Sequence, residues 1–319
     1  MLSLPDFHHK KVLFVDIDSD SEDYGFRVLA HTFCQMKDGA IIAKTPLDQL
    51  FAVFIIGTCS ITTPLIKTCH EYGINLFFLG KNYALYGACM ADAEGNYILR
   101  KRQYTMTPVE EFTISSCILR AKLTNQSRML RKYDYPGIAV DILKAKTIAD
   151  LMGTEGRAGK LYFQALFGPH NWVRREPQTK LDPTNLLMDM GYTYLLYLTD
   201  SLLRAFGFDT YKGVYHRIFF KRKSLSCDVM EVFRPIIDDA ILKAYRLGQI
   251  QEKDYVIYDR AYFIKPNKEI QRKYAKILLE ALTHERDQFY SYCLGFYRHM
   301  MNPTAFPYPT YLYPARISH

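Results

Sequence analysis

The spacing of apolar residues changes once along this chain, near residue 105, and that change limits the fold more than any other feature. Before it, apolar residues fall in short runs, at 12–17, 26–33, 40–43, 51–56, 74–79 and 83–90, with Gly39, Gly57, Gly73, Gly80 and Gly95 at the breaks. Such runs have the length and β-branched or aromatic content of strands. One helix is predicted among them, at 63–72, because Pro64 suits a first helical turn and Gly73 a C-terminal cap. Beyond about residue 110 the spacing becomes helical, with helices predicted at 110–132, 138–152, 155–167, 183–206, 225–247 and 267–297. Asp182 and Pro183 form an N-cap and first-turn pair, and Gly207 and Gly248 close two of these helices. Strands followed by segregated helices predict an α+β fold, with a small β-rich domain over 1–105 and a larger all-α domain over 106–300. A Pro/Tyr-rich tail over 301–319 follows, where Pro303, Pro307, Pro309 and Pro314 alternate with Phe306, Tyr308, Tyr311 and Tyr313. The prolines exclude a helix there, leaving an extended strap docked on the body or a partner, or a frayed end.

Composition narrows the classes of function. At 49% apolar residues the 319-residue chain can bury a core. Its net charge is +8, and the surplus is local: residues 1–105 carry 10 basic and 11 acidic side chains, the remainder 31 and 22. A basic helical domain fits a polyanionic partner such as nucleic acid, or is simply a solvated surface. Seven cysteines, Cys34, Cys59, Cys69, Cys89, Cys117, Cys227 and Cys293, include no C-x-x-C pair, which argues against a disulfide framework or a zinc finger. The longest strongly apolar run, 50–57, is too short to span a bilayer. A cytoplasmic protein with reduced thiols and no membrane segment is expected. Without a G-x-G-x-x-G or Walker A sequence, nothing points to a bound dinucleotide or to NTP hydrolysis.

Three stretches of the helical part could carry chemistry. In the first, residues 154–163, Glu155 opens a helix that also holds Gly156 and Gly159. Each glycine costs about 1 kcal/mol against alanine, so two in one turn suggest close approach by a backbone or ligand. An acid in a first turn is equally explained by the helix dipole. The second stretch places His216 after Gly213, Val214 and Tyr215 and before Arg217, Lys221, Arg222 and Lys223, a basic run suited to phosphate or to solvent. In the third, 224–235, Asp228 and Glu231 lie three apart among apolar neighbours and share a helix face. Two partly buried carboxylates there require a compensating cation, either Arg234 or a divalent metal. Glu155, His216 and Glu231 together would make a mixed oxygen and imidazole site suited to Mn²⁺ and tolerable to Mg²⁺.

These stretches resemble the CRISPR-associated spacer-acquisition integrase and endonuclease family, Cas1. The resemblance rests on Glu155 to Phe163, on Asp182 to Tyr192, and on His216 followed by Ser224-Leu225-Ser226-Cys227-Asp228-Val229-Met230-Glu231-Val232-Phe233-Arg234-Pro235. Asn96 to Arg100 with Gln103 and Tyr104 look like the segment that leads into that family's helical domain, so the likeness covers nearly the whole chain. Val232 departs from the proline frequent there, which alters helix stiffness beside Glu231 and leaves ligand chemistry intact.

The resemblance implies a dimerising N-terminal β domain and a helical domain that holds one Mg²⁺ or Mn²⁺ per active site. By motif position, Glu155, His216 and Glu231 are the implied metal ligands and Asp228 an auxiliary catalytic carboxylate. The implied reaction is attack by the 3′-hydroxyl of a captured DNA fragment on a phosphodiester at the border of a CRISPR repeat. His216 is read first as a neutral ligand and secondarily as a proton shuttle. Implied partners are double-stranded DNA, a second copy of the chain, and a Cas2 dimer that bridges two integrase dimers. Arg174, Arg175, Arg217, Lys221, Arg222 and Lys223 are candidate contacts to the DNA backbone. A metal-dependent nuclease of branched DNA, or a non-catalytic DNA-binding scaffold, are the alternatives.

Overall fold

The structure is a computed structural model that describes residues 10–17, 24–91, 96–138, 144–170, 172–216 and 222–314. Its chain forms two compact units, residues 1–104 with 200–209, and residues 105–199 with 210–319.

The first unit is organised by β5 (Leu50–Ile56), whose seven residues are all apolar and all buried. A continuous apolar run of this kind belongs inside a parallel sheet covered on both faces. β1 (Lys11–Asp16) and β6 (Asn75–Leu79) flank β5 in parallel, and β7 (Leu85–Cys89) closes the sheet antiparallel to β6. On one face Phe54 stacks with Phe14 and Phe77 at ring distances of 5.0 and 4.6 Å. On the other, Val53 and Ile55 pack with Phe26 and Phe33 of a second sheet and with Leu65 and Cys69 of α1 (Thr63–Glu71). That second sheet is the antiparallel meander β2 (Tyr24–Leu29), β3 (Thr32–Lys37) and β4 (Ala40–Pro46).

The apolar run at 26–33 is therefore two strands. A two-residue turn at Ala30 and His31, both with positive φ, splits it. The turn contains none of the glycine or asparagine that usually marks this conformation, so it left no trace in the pattern. The break expected at Gly95 lies outside the described residues. α2 (Tyr97–Tyr104) follows, and its buried Gln103 pairs through both ends of its amide with the backbone of Asp209, at 3.1 and 3.0 Å.

In the second unit α3 (Pro108–Lys132) and α4 (Ile148–Phe167) each begin with a capping box, Thr107 with Glu110 and Thr147 with Asp150. α5 (Pro183–Ala205), α6 (Ser224–Met230), α7 (Arg234–Arg246), α8 (Lys268–His284) and α9 (Arg286–Met301) complete the helices. The α+β class expected from the sequence holds, with four corrections.

The helices predicted at 138–152 and 155–167 are one helix within the described residues. Its start is set by the cap at Thr147, so Glu155 lies about two turns inside α4 and the helix-dipole account of that acid fails. The stretch 225–247 is interrupted by a turn of 3₁₀ helix at Glu231–Phe233. Pro235 is responsible: it has no N–H, and its ring collides with the carbonyl four residues back, that of Glu231. The stretch 267–297 is likewise two helices, joined at Glu285. Finally, the part read as all-α contains a hairpin, β8 (Tyr255–Tyr258) and β9 (Ala261–Ile264), turned by Asp259 and Arg260 at positive φ. Among the described residues no helix is long and apolar enough to cross a membrane.

Candidate active site

Helix α3 brings a lysine into the core of the second unit. Leu119, Leu123, Met129 and Leu130 form its buried stripe, and Lys122 stands in phase with them, 8% exposed. A lysine there requires counter-charges, since desolvating an ion costs several kcal/mol. Two carboxylates provide them. Lys122 Nζ hydrogen-bonds Glu155 of α4 and lies 2.6 Å from Glu231 Oε2. Arg234 Nη2 takes the other oxygen of Glu231 at 2.8 Å, and its guanidinium lies over the Tyr192 ring at 4.6 Å. Of the two cations foreseen for the acids, Arg234 is present on Glu231, and Lys122 is a further one.

Each partner shifts the other. Burial pulls the Lys122 ammonium down, but the charges of Glu231 and Glu155 overcome it and leave the group above its ordinary value. Burial alone would raise the Glu155 carboxyl. Lys122 and the hydrogen bond donated by the Tyr215 hydroxyl outweigh burial and hold it at about 2. Burial and the neighbouring Glu155 charge push the Tyr215 phenol well up.

The loop before α6 is built around Asp228, which is fully buried. Its carboxylate accepts three successive backbone N–H groups, from Val214 at 2.7 Å, Tyr215 at 3.0 Å and His216 at 2.9 Å. His216 Nδ1 is a fourth contact at 2.6 Å. Gly213 permits this wrap, because a Cβ there would sit 2.9 Å from Asp228 Oδ2 and 2.7 Å from the Ser224 side chain. Both oxygens of Asp228 are thus committed within the protein, which makes it a positioning group for the imidazole. With the Nδ1 proton assigned to this bond, Nε2 of His216 keeps its lone pair for use as a ligand or base.

The structure brings Glu155 and Glu231 together on one ammonium, and His216 is the chain neighbour of Tyr215, which touches Glu155. As the side chains stand, no three His, Cys, Asp or Glu groups among the described residues are close enough to hold one ion. The ammonium of Lys122 fills the place between the two carboxylates. The close approach expected at Gly156 and Gly159 is absent: a Cβ at either would meet nothing within 4 Å.

The basic candidates divide. Arg175 is 15% exposed and spent on Asn185 at 2.8 Å and Asp189 at 2.5 Å, so it braces α5. Arg174 is exposed and paired with Glu176 at 2.6 Å. Arg222 is exposed, and Lys223 is the residue that precedes α6. Arg217 and Lys221 lie outside the described residues.

Lys122 and Asn125 are the site residues that sequence reasoning missed. Both are polar side chains at positions where the helical period demands an apolar one, and that conflict was readable on α3.

Solved structures share this fold. The match to a chain of a partial Cas6-RT-Cas1–Cas2 complex has a TM-score of 0.78 at 22% identity and covers 95% of this chain and 98% of that one. A casposase bound to integration product matches at 0.70 and 16%, covering 92% and 96%. A Cas1 protein from Thermotoga maritima matches at 0.63 and 18%, covering 93% and 99%. The chain thus shares its fold with Cas1 proteins and with that casposase. More narrowly, the sequence profile of the family described as CRISPR associated protein Cas1 matches residues 22–278, and the chain belongs to that family. CRISPR-associated endonuclease Cas1 4 of Methanospirillum hungatei is 28% identical over 218 residues, which are 64% of this chain and 62% of that protein. Cas1 1 of Thermodesulfovibrio yellowstonii is 23% identical over 305 residues, 88% of this chain and 96% of that protein. The chain spans less than two thirds of the length of the Methanospirillum hungatei relative and of one from Thermus thermophilus.

Proposed function

We propose that this chain is a divalent-metal-dependent DNA integrase and endonuclease of CRISPR adaptation, joining 3′-hydroxyl ends of captured fragments to a repeat array. One observation carries the reading: acids from separate elements, Glu155 and Glu231, converge on a single buried cation, and Tyr215, whose hydroxyl bonds Glu155, is followed in the chain by His216, whose imidazole is held by Asp228. Family membership and the relatives named as CRISPR-associated endonucleases support it.

The donor set fits Mn²⁺ or Mg²⁺, since two carboxylates and an imidazole suit either ion and leave positions for substrate oxygens. Glu231 Oε2 is the clearest sign, a buried oxygen that accepts no aligned hydrogen bond despite its contact with Lys122. Glu155, Glu231 and His216 would hold the ion once the Lys122 ammonium moves aside. When bound, a divalent ion stabilises charge at the attacked phosphoryl group.

The chain's own residues do the rest. Asp228 fixes the ring of His216 through Nδ1, Tyr215 orients the Glu155 carboxylate, and Arg234 anchors Glu231 by its second oxygen. In the joining step the fragment's 3′-oxygen forms a P–O bond as the bond to the departing 3′-oxygen breaks. The proton released by the first hydroxyl balances the one taken up by the second.

The proposed partners are double-stranded DNA, a second copy docked through the N-terminal domain (1–105), and a Cas2 dimer. Solved relatives occur in a Cas1–Cas2 complex and in a Cas1–DNA complex. The basic surplus of residues 106–319 supplies the charge for DNA. Among the basic candidates, the exposed Arg222 and Arg174 are best placed to meet phosphate, and each such contact steepens the salt dependence by about 0.9 in log affinity against log salt.

The test incubates the purified protein and Cas2 with short 3′-hydroxyl duplexes and a supercoiled repeat-bearing plasmid. Joined products in Mn²⁺ or Mg²⁺, absent in EDTA and with Glu155→Ala, His216→Ala or Glu231→Ala, are expected. Cutting without joining would leave a nuclease, and activity that survives all three substitutions would leave a scaffold.

A further inference from the structure

The Pro/Tyr-rich segment beyond α9 runs extended along the second unit, with Tyr311 and Tyr313 buried. Pro309 packs on Gly295 of α9, where a Cβ would come within 2.9 Å of the proline ring. Its other end is held by one side chain. Asn125 of α3 is fully buried; its Oδ1 accepts the Tyr313 N–H at 2.8 Å and its Nδ2 donates to the Tyr311 carbonyl at 3.1 Å. A single amide thus reads two alternate residues of an extended strand, and Arg128 adds a bond to the Tyr313 carbonyl at 2.5 Å.

The same Asn125 Nδ2 also donates to the Val232 carbonyl at 3.0 Å. Val232 follows Glu231 in the short turn between α6 and α7, and the next residue, Phe233, meets the Tyr311 ring at 4.7 Å. Phe233 is further boxed by Phe289 at 4.3 Å and Tyr292 at 5.2 Å. One turn earlier on α3, Lys122 touches Glu231 itself. The turn bearing Glu231 has left the regular helical ladder, so its position depends on these side chains.

We propose that residues 309–313 form a positioning strap for Glu231, acting through Asn125 and Phe233, so that strap docking and divalent-metal binding are coupled. This rests on the metal site proposed above. Coupling is reciprocal: whatever loosens the strap weakens the ion, and the ion tightens the strap by the same factor.

The full-length protein is titrated with Mn²⁺ by calorimetry, and amide hydrogen exchange over 309–313 is followed with and without the ion. Tyr311→Ala is expected to weaken Mn²⁺ about tenfold, the scale of losing a group that orients a ligand, and Asn125→Ala at least as much. Mn²⁺ is expected to slow exchange of the Tyr313 amide in the unsubstituted protein, a readout that requires no variant to fold. Leu65→Ala, in the core of the other unit, is expected to lower thermal stability and leave Mn²⁺ affinity unchanged, separating positioning from stability. If the unsubstituted protein binds Mn²⁺ and both strap variants bind it equally well, the strap inference is overturned while the metal site stands. If the unsubstituted protein binds no Mn²⁺, the metal site falls, and the coupling with it.

Discussion

The strands of the first unit and the helices of the second bury different chemistry. Over residues 10–91 the described core holds no charged side chain, only apolar residues and Asn75. The helical unit buries Lys122, Asp228, Glu231, Asp238, Asp239, Asp254 and Arg286. Apolar burial is worth about 25 cal/mol per Å² and asks little of geometry, whereas a buried ion is tolerable only when every partner is in place. The strands of the first unit therefore spend their interior on stability. The second holds its charges in a fixed arrangement that stability alone does not require, as expected where a fold carries a site.

The largest effect that would sharpen this contrast is at Glu231. Glu231→Ala removes a proposed ligand and leaves Lys122 with one acid fewer, and strand joining is expected to fall by more than about 100-fold in a plasmid assay. Joining at the unsubstituted rate would remove the helical unit's claim to function.

How much of this was legible follows the same division. The strand run 51–56 and the helix at 63–72 were plain in the spacing, because burial on both faces and a proline-to-glycine frame write themselves into composition. Glu155, His216 and Glu231 are legible from residue type and spacing together with motif resemblance, and the structure joins two of them through Lys122. Lys122 stayed hidden because its meaning depends on acids 33 and 109 residues away, which no local pattern brings near. The contacts of Asp228 stayed hidden for a related reason. Spacing put it on the same face as Glu231, but three backbone amides of a loop claim its oxygens, and backbone donors have no sequence signature.

Asp228→Asn comes next in size. It keeps the shape of the side chain but puts a donor where the loop amides and His216 need an acceptor, so Mn²⁺ affinity is expected to fall roughly 10–100-fold. Calorimetric titration checks it, and unchanged affinity would return Asp228 to a purely structural part.

For the first unit the contrast predicts the opposite pattern. Phe54→Ala, at the centre of the Phe14–Phe54–Phe77 stack, should cost about 3–5 kcal/mol in urea unfolding without changing Mn²⁺ affinity of the folded protein.

Asp238 gives a smaller, pH-dependent effect. Burial lifts its carboxyl to about 6, against the hydrogen bonds from Tyr192 at 2.5 Å and Tyr162 at 2.9 Å and the charge of Arg234. The folded chain keeps a proton here that the unfolded chain has released, so this group's stabilising effect is full below about pH 4 and is lost as pH rises to 6. Asp238→Asn should therefore gain on the unsubstituted protein by roughly 2–3 kcal/mol between pH 4 and pH 7 in paired unfolding curves. A constant difference across that range would contradict it.

The smallest effect is at the surface of α1. Lys67 and Glu71 are exposed and 3.8 Å apart, so Lys67→Ala should shift stability by less than about 0.5 kcal/mol.

The most direct measurement is an anomalous-difference map from crystals of the full-length protein soaked in Mn²⁺. A single strong peak within bonding distance of Glu155, Glu231 and His216 Nε2, with Lys122 displaced from between the acids, is the predicted result. Lys122 still bridging Glu155 and Glu231 at saturating Mn²⁺, with no peak there, would contradict it.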